Sequence, residues 1–313
     1  MRAMSNPIET RIAVVGGGAV GGYLAALLHE AGHDATLCVR TPFDELVVES
    51  EGTTRTVGVT IATEPEDVPG PADVLILAVK GQDTPATAPW MDALAGPGTL
   101  VVVAQNGVDH RARVAPLAPA SAILPILVYF TIEPVGPGRL RHSVGNWLVI
   151  PEGADSERFA ALLAGTGLEV ASTEDFVTAA WRKFLTNVLA NPITALTLRR
   201  VEVFKDEAIA PVSRSLLSEA IAVGTAEGAR FAEDELEQTL ALFAAIPGQN
   251  GTSMLFDRLA CRPLEHELIT GVVVAAGRRH GIPTPANDVI YALLTTLDRG
   301  IRSGSVARTS TTE

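Results

Sequence analysis

The sequence predicts an α/β protein in which a doubly wound parallel sheet precedes an all-helical second domain. Two observations carry that prediction. The first half alternates short apolar strands with helical segments, the pattern of βαβ units. From about residue 176 the chain turns into long apolar-periodic segments with no strand between them. At 313 residues the length also fits two domains of about 150 residues each, divided as 1–175 and 176–313.

Taken in order, Arg11–Val15 is a short apolar strand ending in glycines, and Ala19–Ala31 has helical composition and stops at Gly32. Ala35–Val39 reads as a second strand, and Thr54–Ala62 alternates like an added β-ribbon. Asp73–Val79 and Leu100–Ala104 are continuous apolar runs, as expected of strands buried on both faces of a parallel sheet. Ala122–Phe130 and Leu140–Ile150 flank a Pro/Gly turn at Pro134–Gly138. In the second half, helical periodicity covers Val177–Leu198, Pro211–Gly228, Asp234–Ala245, a Ser253–Glu267 region, Leu268–His280 and Asn287–Arg299. The Ser/Thr-rich tail Ser303–Glu313 is expected to fray.

Composition excludes several functions. With 36 acidic residues against 24 basic and a net charge of −12, the surface repels phosphate backbones and anionic lipid, so neither nucleic acid nor membrane is expected as a partner. No apolar run approaches the roughly 18 residues of a membrane span. Met1–Thr10 lacks the apolar core of a secretory signal, which makes the cytoplasm the default. Cys38 and Cys261 fall in different halves and are expected as small buried hydrophobes rather than a disulfide. The basic set is lopsided: 21 arginines and only three lysines, Lys80, Lys183 and Lys205.

Gly16-Gly17-Gly18-Ala19-Val20-Gly21 matches G-x-G-x-x-G directly after the first strand and at the opening of the first helix. The first glycine allows the tight turn, the second a close backbone approach to a pyrophosphate, the third helix–strand packing. The helix N-terminus then offers N–H groups to the anion. An NAD site usually places an acid at the end of the second strand to accept the ribose 2′-hydroxyl. Here that strand ends in Arg40, and the acid, Asp34, stands at its start. A guanidinium suits a 2′-phosphate, so NADP(H) is the expected cofactor; a solvated terminal arginine is the competing explanation.

Lys80 and Asn106 follow neighbouring parallel strands, on the carboxyl rim where ligands gather. In the second half, Lys183, Asn187 and Asn191 are spaced i, i+4, i+8 and share one helix face. Their neighbours Phe184, Leu185, Val188 and Leu189 are apolar, so the row needs partners or a ligand. Buried amides tying helices together would be the plainer account. Asn191 precedes Pro192, which predicts a kink or helix end there. Pro263 suits the first turn of a helix, which would put Glu265 in that turn, where dipole compensation competes with function. Ser253 by itself reads as a helix-capping serine.

Together these segments resemble the ketopantoate reductase family: GGGAVG at 16–21, Arg40, AVKGQDT around Lys80, QNGV around Asn106, WRKFLTNVLANPITALT from Trp181, and TSMLFD followed by RPLEHE. The resemblance runs from about residue 11 to 295. It implies a Rossmann-type domain and an all-α domain like the C-terminal domain of 6-phosphogluconate dehydrogenase, with the active site in the cleft between them. It implies NADPH-dependent reduction of ketopantoate to D-pantoate, a step toward pantothenate and coenzyme A. Gly16, Gly17, Gly18, Ala19, Val20, Gly21 and Arg40 would hold the NADP phosphates. Lys80, Asn106 and Glu265 would contact the cofactor near its reacting end, Asn106 also reaching substrate. Lys183 would be the proton donor, and Asn187, Asn191 and Ser253 would bind the keto acid. No metal is required, and the family contains monomers and homodimers.

Two positions depart from the family pattern. Asp109 stands where QNGxG would have its second glycine, and Val201 where some members carry a further substrate-binding amide. The second departure leaves open another branched 2-keto acid as substrate, in the manner of an NADP-dependent D-2-hydroxyacid dehydrogenase. A non-catalytic NADP(H)-binding sensor is a third reading; Lys183 argues against it, because binding alone needs no titratable donor.

Overall fold

The computed structural model describes residues 10–50 and 52–306. Residues 1–9 and the tail from 307 onward, on which the expectations about a secretory signal and about fraying fall, lie outside the described residues. The described chain divides into two compact units. The first runs up to Gln105 and resumes over Asp109–Glu174; the second comprises Asn106–Val108 and the chain from Asp175 onward.

The first unit contains β1 (Ile12–Val15), α1 (Ala19–Glu30), β2 (Ala35–Cys38), β3 (Leu46–Ser50), β4 (Thr53–Val57), β5 (Thr60–Ala62), β6 (Val74–Leu77), α2 (Ala88–Leu94) and β7 (Leu100–Val103). There follow α3 (His110–Val114), β8 (Ala122–Pro125), β9 (Leu127–Gly136), β10 (Arg139–Pro151), α4 (Ala154–Leu162) and β11 (Glu169–Thr173). The main sheet has the order β5-β2-β1-β6-β7-β8, and its pairings are all parallel.

The two-residue period of its strands sorts their side chains into two cores. Val14, Ile76 and Val102 pack with α1 and with Leu46, Leu140 and Leu148 of a second sheet. Val15, Leu77 and Val103 pack on the opposite face with Met91 and Leu94 of α2. Burial on both faces is why β6 and β7 read as unbroken apolar runs. The second sheet, β11-β10-β3-β4 with β9 antiparallel to β10, covers part of one face of the first.

That second sheet corrects the sequence reading. Thr54–Ala62 is not one ribbon: β4 pairs antiparallel with β3, whereas β5 joins the main sheet parallel to β2. The sequence reading also has no counterpart of β3, α2, α3, α4 and the edge strand β11.

The second unit contains α5 (Phe176–Thr197), α6 (Ile209–Ala226), α7 (Glu235–Ala245), α8 (Ser253–Leu259), α9 (Thr270–His280) and α10 (Pro285–Arg302). Asp175 caps α5 by accepting from Thr178 N at 3.1 Å, an interaction worth about 1 kcal/mol. Glu219 on α6 receives Ala286 N at 2.8 Å and Asn287 N at 2.9 Å, closing the N-terminus of α10. Gly224 lets α6 approach α5: a Cβ there would lie 2.8 Å from the Trp181 ring.

Two local expectations fail here, and a third, on the cysteines, holds in part. α5 runs through Pro192 to Thr197 instead of ending at Asn191; the pre-proline preference is overridden inside a helix whose flanking turns are buried. Pro263 opens no helix, and Glu265 immediately precedes a short 3-10 turn, His266–Leu268, without a side-chain capping bond. Cys38 is buried and Cys261 only partly so; both are free. No helix among the described residues is long and apolar enough to cross a membrane.

Candidate active site

In the first unit, the chain leaves β1 through Gly16, whose φ of +116° is open to glycine but strained for other residues. Its N–H donates to Cys38 O at 2.9 Å, pinning the turn to the end of β2. A Cβ on Gly16 would lie 2.7 Å from Val79 N, one on Gly17 2.5 Å from Val39 Cγ1, and one on Gly21 2.0 Å from Gly16 O. Each would force the turn apart. At Gly18, by contrast, a Cβ would meet nothing within 4 Å, so this side of the turn is open.

Gly18 is the N-cap of α1, and neither a capping side chain nor an acidic residue occupies the first turn, opened by Ala19 and Val20. The N–H groups there are available to an anion with no internal competitor. Arg40 is exposed two residues beyond β2 and next to Val39, against which Gly17 lies. Lys80 follows β6 and precedes the 3-10 turn Gly81–Thr87, its carbonyl accepting from Asp83 N at 2.8 Å. A crowded turn, an open helix N-terminus and an adjacent guanidinium fit the diphosphate and 2′-phosphate of NADP(H).

In the second unit, α5 carries Lys183, Asn187 and Asn191 on one face, about 6 Å apart along the axis. Lys183 Nζ donates to Asn106 Oδ1 at 3.2 Å, and Asn106 Nδ2 donates to Glu265 Oε2 at 3.4 Å. Glu265 is 4% exposed. Desolvation lowers the Lys183 pKa to about 8 against the opposing pull of the Glu265 carboxylate. The side chain as a whole is partly buried, but its ammonium end bears most of the desolvation, because the stem and the head of lysine are buried independently.

At the far end of the row, Asn191 is buried, its Oδ1 accepting from Ser253 Oγ and Met254 N, both at 3.3 Å. Asn187 is partly buried on the turn between. Ser253 is exposed as the first residue of α8, while Thr252 caps that helix by accepting from Leu255 N at 3.2 Å. The expected capping serine is therefore displaced by one residue, leaving the Ser253 hydroxyl to Asn191. Thus Lys183, Asn106 and Glu265 meet at one end of the α5 face, and Asn191 and Ser253 at the other.

Sequence reasoning passed over Gln105. It is 7% exposed, and its amide nitrogen donates to Val79 O at 2.9 Å. The available signal was its position, a polar side chain at the end of an otherwise apolar strand.

A glycine turn on a parallel sheet, followed by an all-helical unit bearing a lysine of lowered pKa among amides, defines a two-domain dinucleotide-binding oxidoreductase. Comparison with known proteins sharpens that class. The family model for ketopantoate reductase PanE/ApbA matches residues 12–155, and that for its C-terminal domain matches residues 175–298. The chain belongs to the ketopantoate reductase family. It is 43% identical over 296 residues to the 2-dehydropantoate 2-reductase of Mycobacterium tuberculosis, covering 94% of this chain and 99% of that relative. A PanE/ApbA family ketopantoate reductase from Ralstonia eutropha superposes with a TM-score of 0.85 at 30% identity, over 93% of this chain and 99% of the other. A dimeric ketopantoate reductase from Staphylococcus aureus gives 0.83 at 28% identity, with coverage of 93% and 99%.

Proposed function

We propose that the protein catalyses the NADPH-dependent reduction of ketopantoate to D-pantoate, with residues 1–175 binding the cofactor and 176–313 the substrate. The observation that carries this reading is the Lys183 amine, its pKa lowered to about 8 and its Nζ–H given to Asn106. The family names support the reaction type, and the 43% relative supports the substrate.

Gly16 to Gly21 and Arg40 would hold the diphosphate and 2′-phosphate, and Lys80, Asn106 and Glu265 would contact the cofactor near its reacting end. The chemistry that NADP(H) would supply there, when bound, is hydride transfer at the keto carbon. Lys183 donates a proton to the oxygen that becomes negative in that step. Lysine suits this role because its pKa falls on burial, whereas arginine stays charged. Asn106 orients the lysine, and the negative potential of the Glu265 carboxylate favours the protonated amine, so that the proton is present near neutrality. Asn187, Asn191 and Ser253 fix the carboxylate and hydroxyl ends of the acid by hydrogen bonds that add no charge.

Val201, 4% exposed and apolar, supports one alternative, a different branched 2-keto acid. We infer a monomer or homodimer and a cytoplasmic location, consistent with use of a soluble nicotinamide cofactor. The test is NADPH oxidation across a panel of 2-keto acids. The proposal expects ketopantoate to give the highest kcat/KM. Preference for another acid overturns the substrate, and tight NADPH binding without any turnover overturns the catalysis in favour of a sensor.

A further inference from the structure

The backbone ladder between β6 and β7 closes with Ala104 N donating to Leu77 O at 2.9 Å. Beyond it, the Gln105 side chain takes over. Its Nε2 donates to Val79 O and to Thr84 Oγ1, each at 2.9 Å. Val79 directly precedes Lys80, and Gln105 directly precedes Asn106, so one carboxamide joins the two strand ends that carry these residues. The Gln105 carbonyl is held in turn by His110 Nε2 at 2.9 Å.

The orientation of that carboxamide is dictated from both sides. A backbone carbonyl only accepts, so nitrogen faces Val79. Oε1 is then turned to Arg113 Nε, which only donates, at 3.3 Å. The Arg113 side chain is 9% exposed and its NH1 pairs with Asp109 Oδ1 at 2.6 Å. Asp109 is the residue that stands where the family pattern has glycine. Here its carboxylate anchors the guanidinium that sets Gln105.

We propose that Arg113, anchored by Asp109, is a positioning residue for the reductase reaction, acting through Gln105 to hold in register the two strand ends that lead into Lys80 and Asn106. The inference rests on the function proposed above. Without the guanidinium, Gln105 Oε1 is a buried acceptor that has lost its donor. The side chain then gives up its hold on Val79, and Asn106 is no longer fixed against Lys183.

The experiment compares Arg113→Met and Arg113→Lys. Lysine preserves a charge for Asp109 but cannot reach two partners with one planar fork, so a merely structural ion pair is rescued by it and a positioning role is not. Both variants are expected to lose about tenfold to hundredfold in kcat/KM, the scale of a small misplacement of reacting groups, while Arg113→Lys, which keeps a charge beside Asp109, loses less in Tm than Arg113→Met. A second readout does not need turnover. The wild type has three lysines, so acetic anhydride labelling followed by peptide mass spectrometry reports Lys183 separately. Its labelling midpoint should fall by about half a unit or more in both variants, because Asn106 no longer favours the protonated amine.

A wild-type rate and an unmoved midpoint in Arg113→Lys overturn the inference. If Arg113→Met does not fold, Asp109→Asn takes its place, with a smaller loss in the same direction expected and no change contradicting the proposal. If wild type reduces no 2-keto acid, the proposed function fails by itself, and the Lys183 midpoint alone decides for or against the positioning role.

Discussion

The Asn106 carboxamide stands between a cation and an anion, its oxygen accepting from Lys183 Nζ at 3.2 Å and its nitrogen donating to Glu265 at 3.4 Å. An amide is suited to that place because it can satisfy both without a charge of its own. Desolvation lowers the pKa of the ammonium to about 8 against the opposing pull of the Glu265 carboxylate.

Removing the amine should therefore affect the chemical step. Lys183→Ala is expected to lower kcat by about 10²-fold or more, the usual cost of a lost general acid, with a much smaller change in KM. Lys183→Arg should not restore the rate, since its proton is not released. Steady-state kinetics with ketopantoate checks both, and a near-normal kcat in Lys183→Ala removes the residue from the mechanism.

Arg40 is exposed beside the glycine turn, and a charge-assisted contact to a 2′-phosphate contributes about 1.5–3 kcal/mol. Arg40→Ala should accordingly weaken NADPH about tenfold to hundredfold and leave NADH within about twofold. Fluorescence titration of the two cofactors measures this. Equal weakening of both would make Arg40 a structural residue only.

Asn191 has two duties that one substitution can separate. Its oxygen accepts from Met254 N inside the protein and from Ser253 Oγ at an exposed helix start. Asn191→Ala leaves a buried N–H without an acceptor, a loss of about 1–3 kcal/mol that lowers Tm by several degrees. It should also raise KM for the keto acid. A lowered Tm with unchanged KM would reduce Asn191 to a tie between α5 and α8.

Parts of the fold and site were legible for identifiable reasons. β6 and β7 are buried on both faces, so their runs of Val, Leu and Ile left no ambiguity, and the glycine turn follows a strand and opens a helix. The i, i+4, i+8 row on α5 was legible because helix geometry alone aligns it. β11 was not, since Glu169–Thr173 is an edge strand with little buried surface and no apolar run to betray it. β5 was misassigned because three residues cannot declare which sheet they join. Proline misled twice: Pro192 lies within α5, and Pro263 lies outside any helix. Its local preferences are weaker than the packing of the elements around it. Asp109 is only a departure from the family pattern in sequence, because its partner Arg113 and the Gln105 that Arg113 holds are brought to it by the fold.

The central claim is that reduction depends on a proton carried by Lys183, and the pH dependence of kcat/KM tests it most directly. With the pKa lowered to about 8, the amine is protonated below that pH and neutral above it. Ketopantoate reduction should be level at lower pH and decline tenfold per unit above about 8, while oxidation of D-pantoate, which needs the neutral amine as base, should rise through the same pH. Both limbs should vanish in Lys183→Ala. A reductive profile that stays flat to pH 10, or a limb near 8 that survives in Lys183→Ala, would contradict the account.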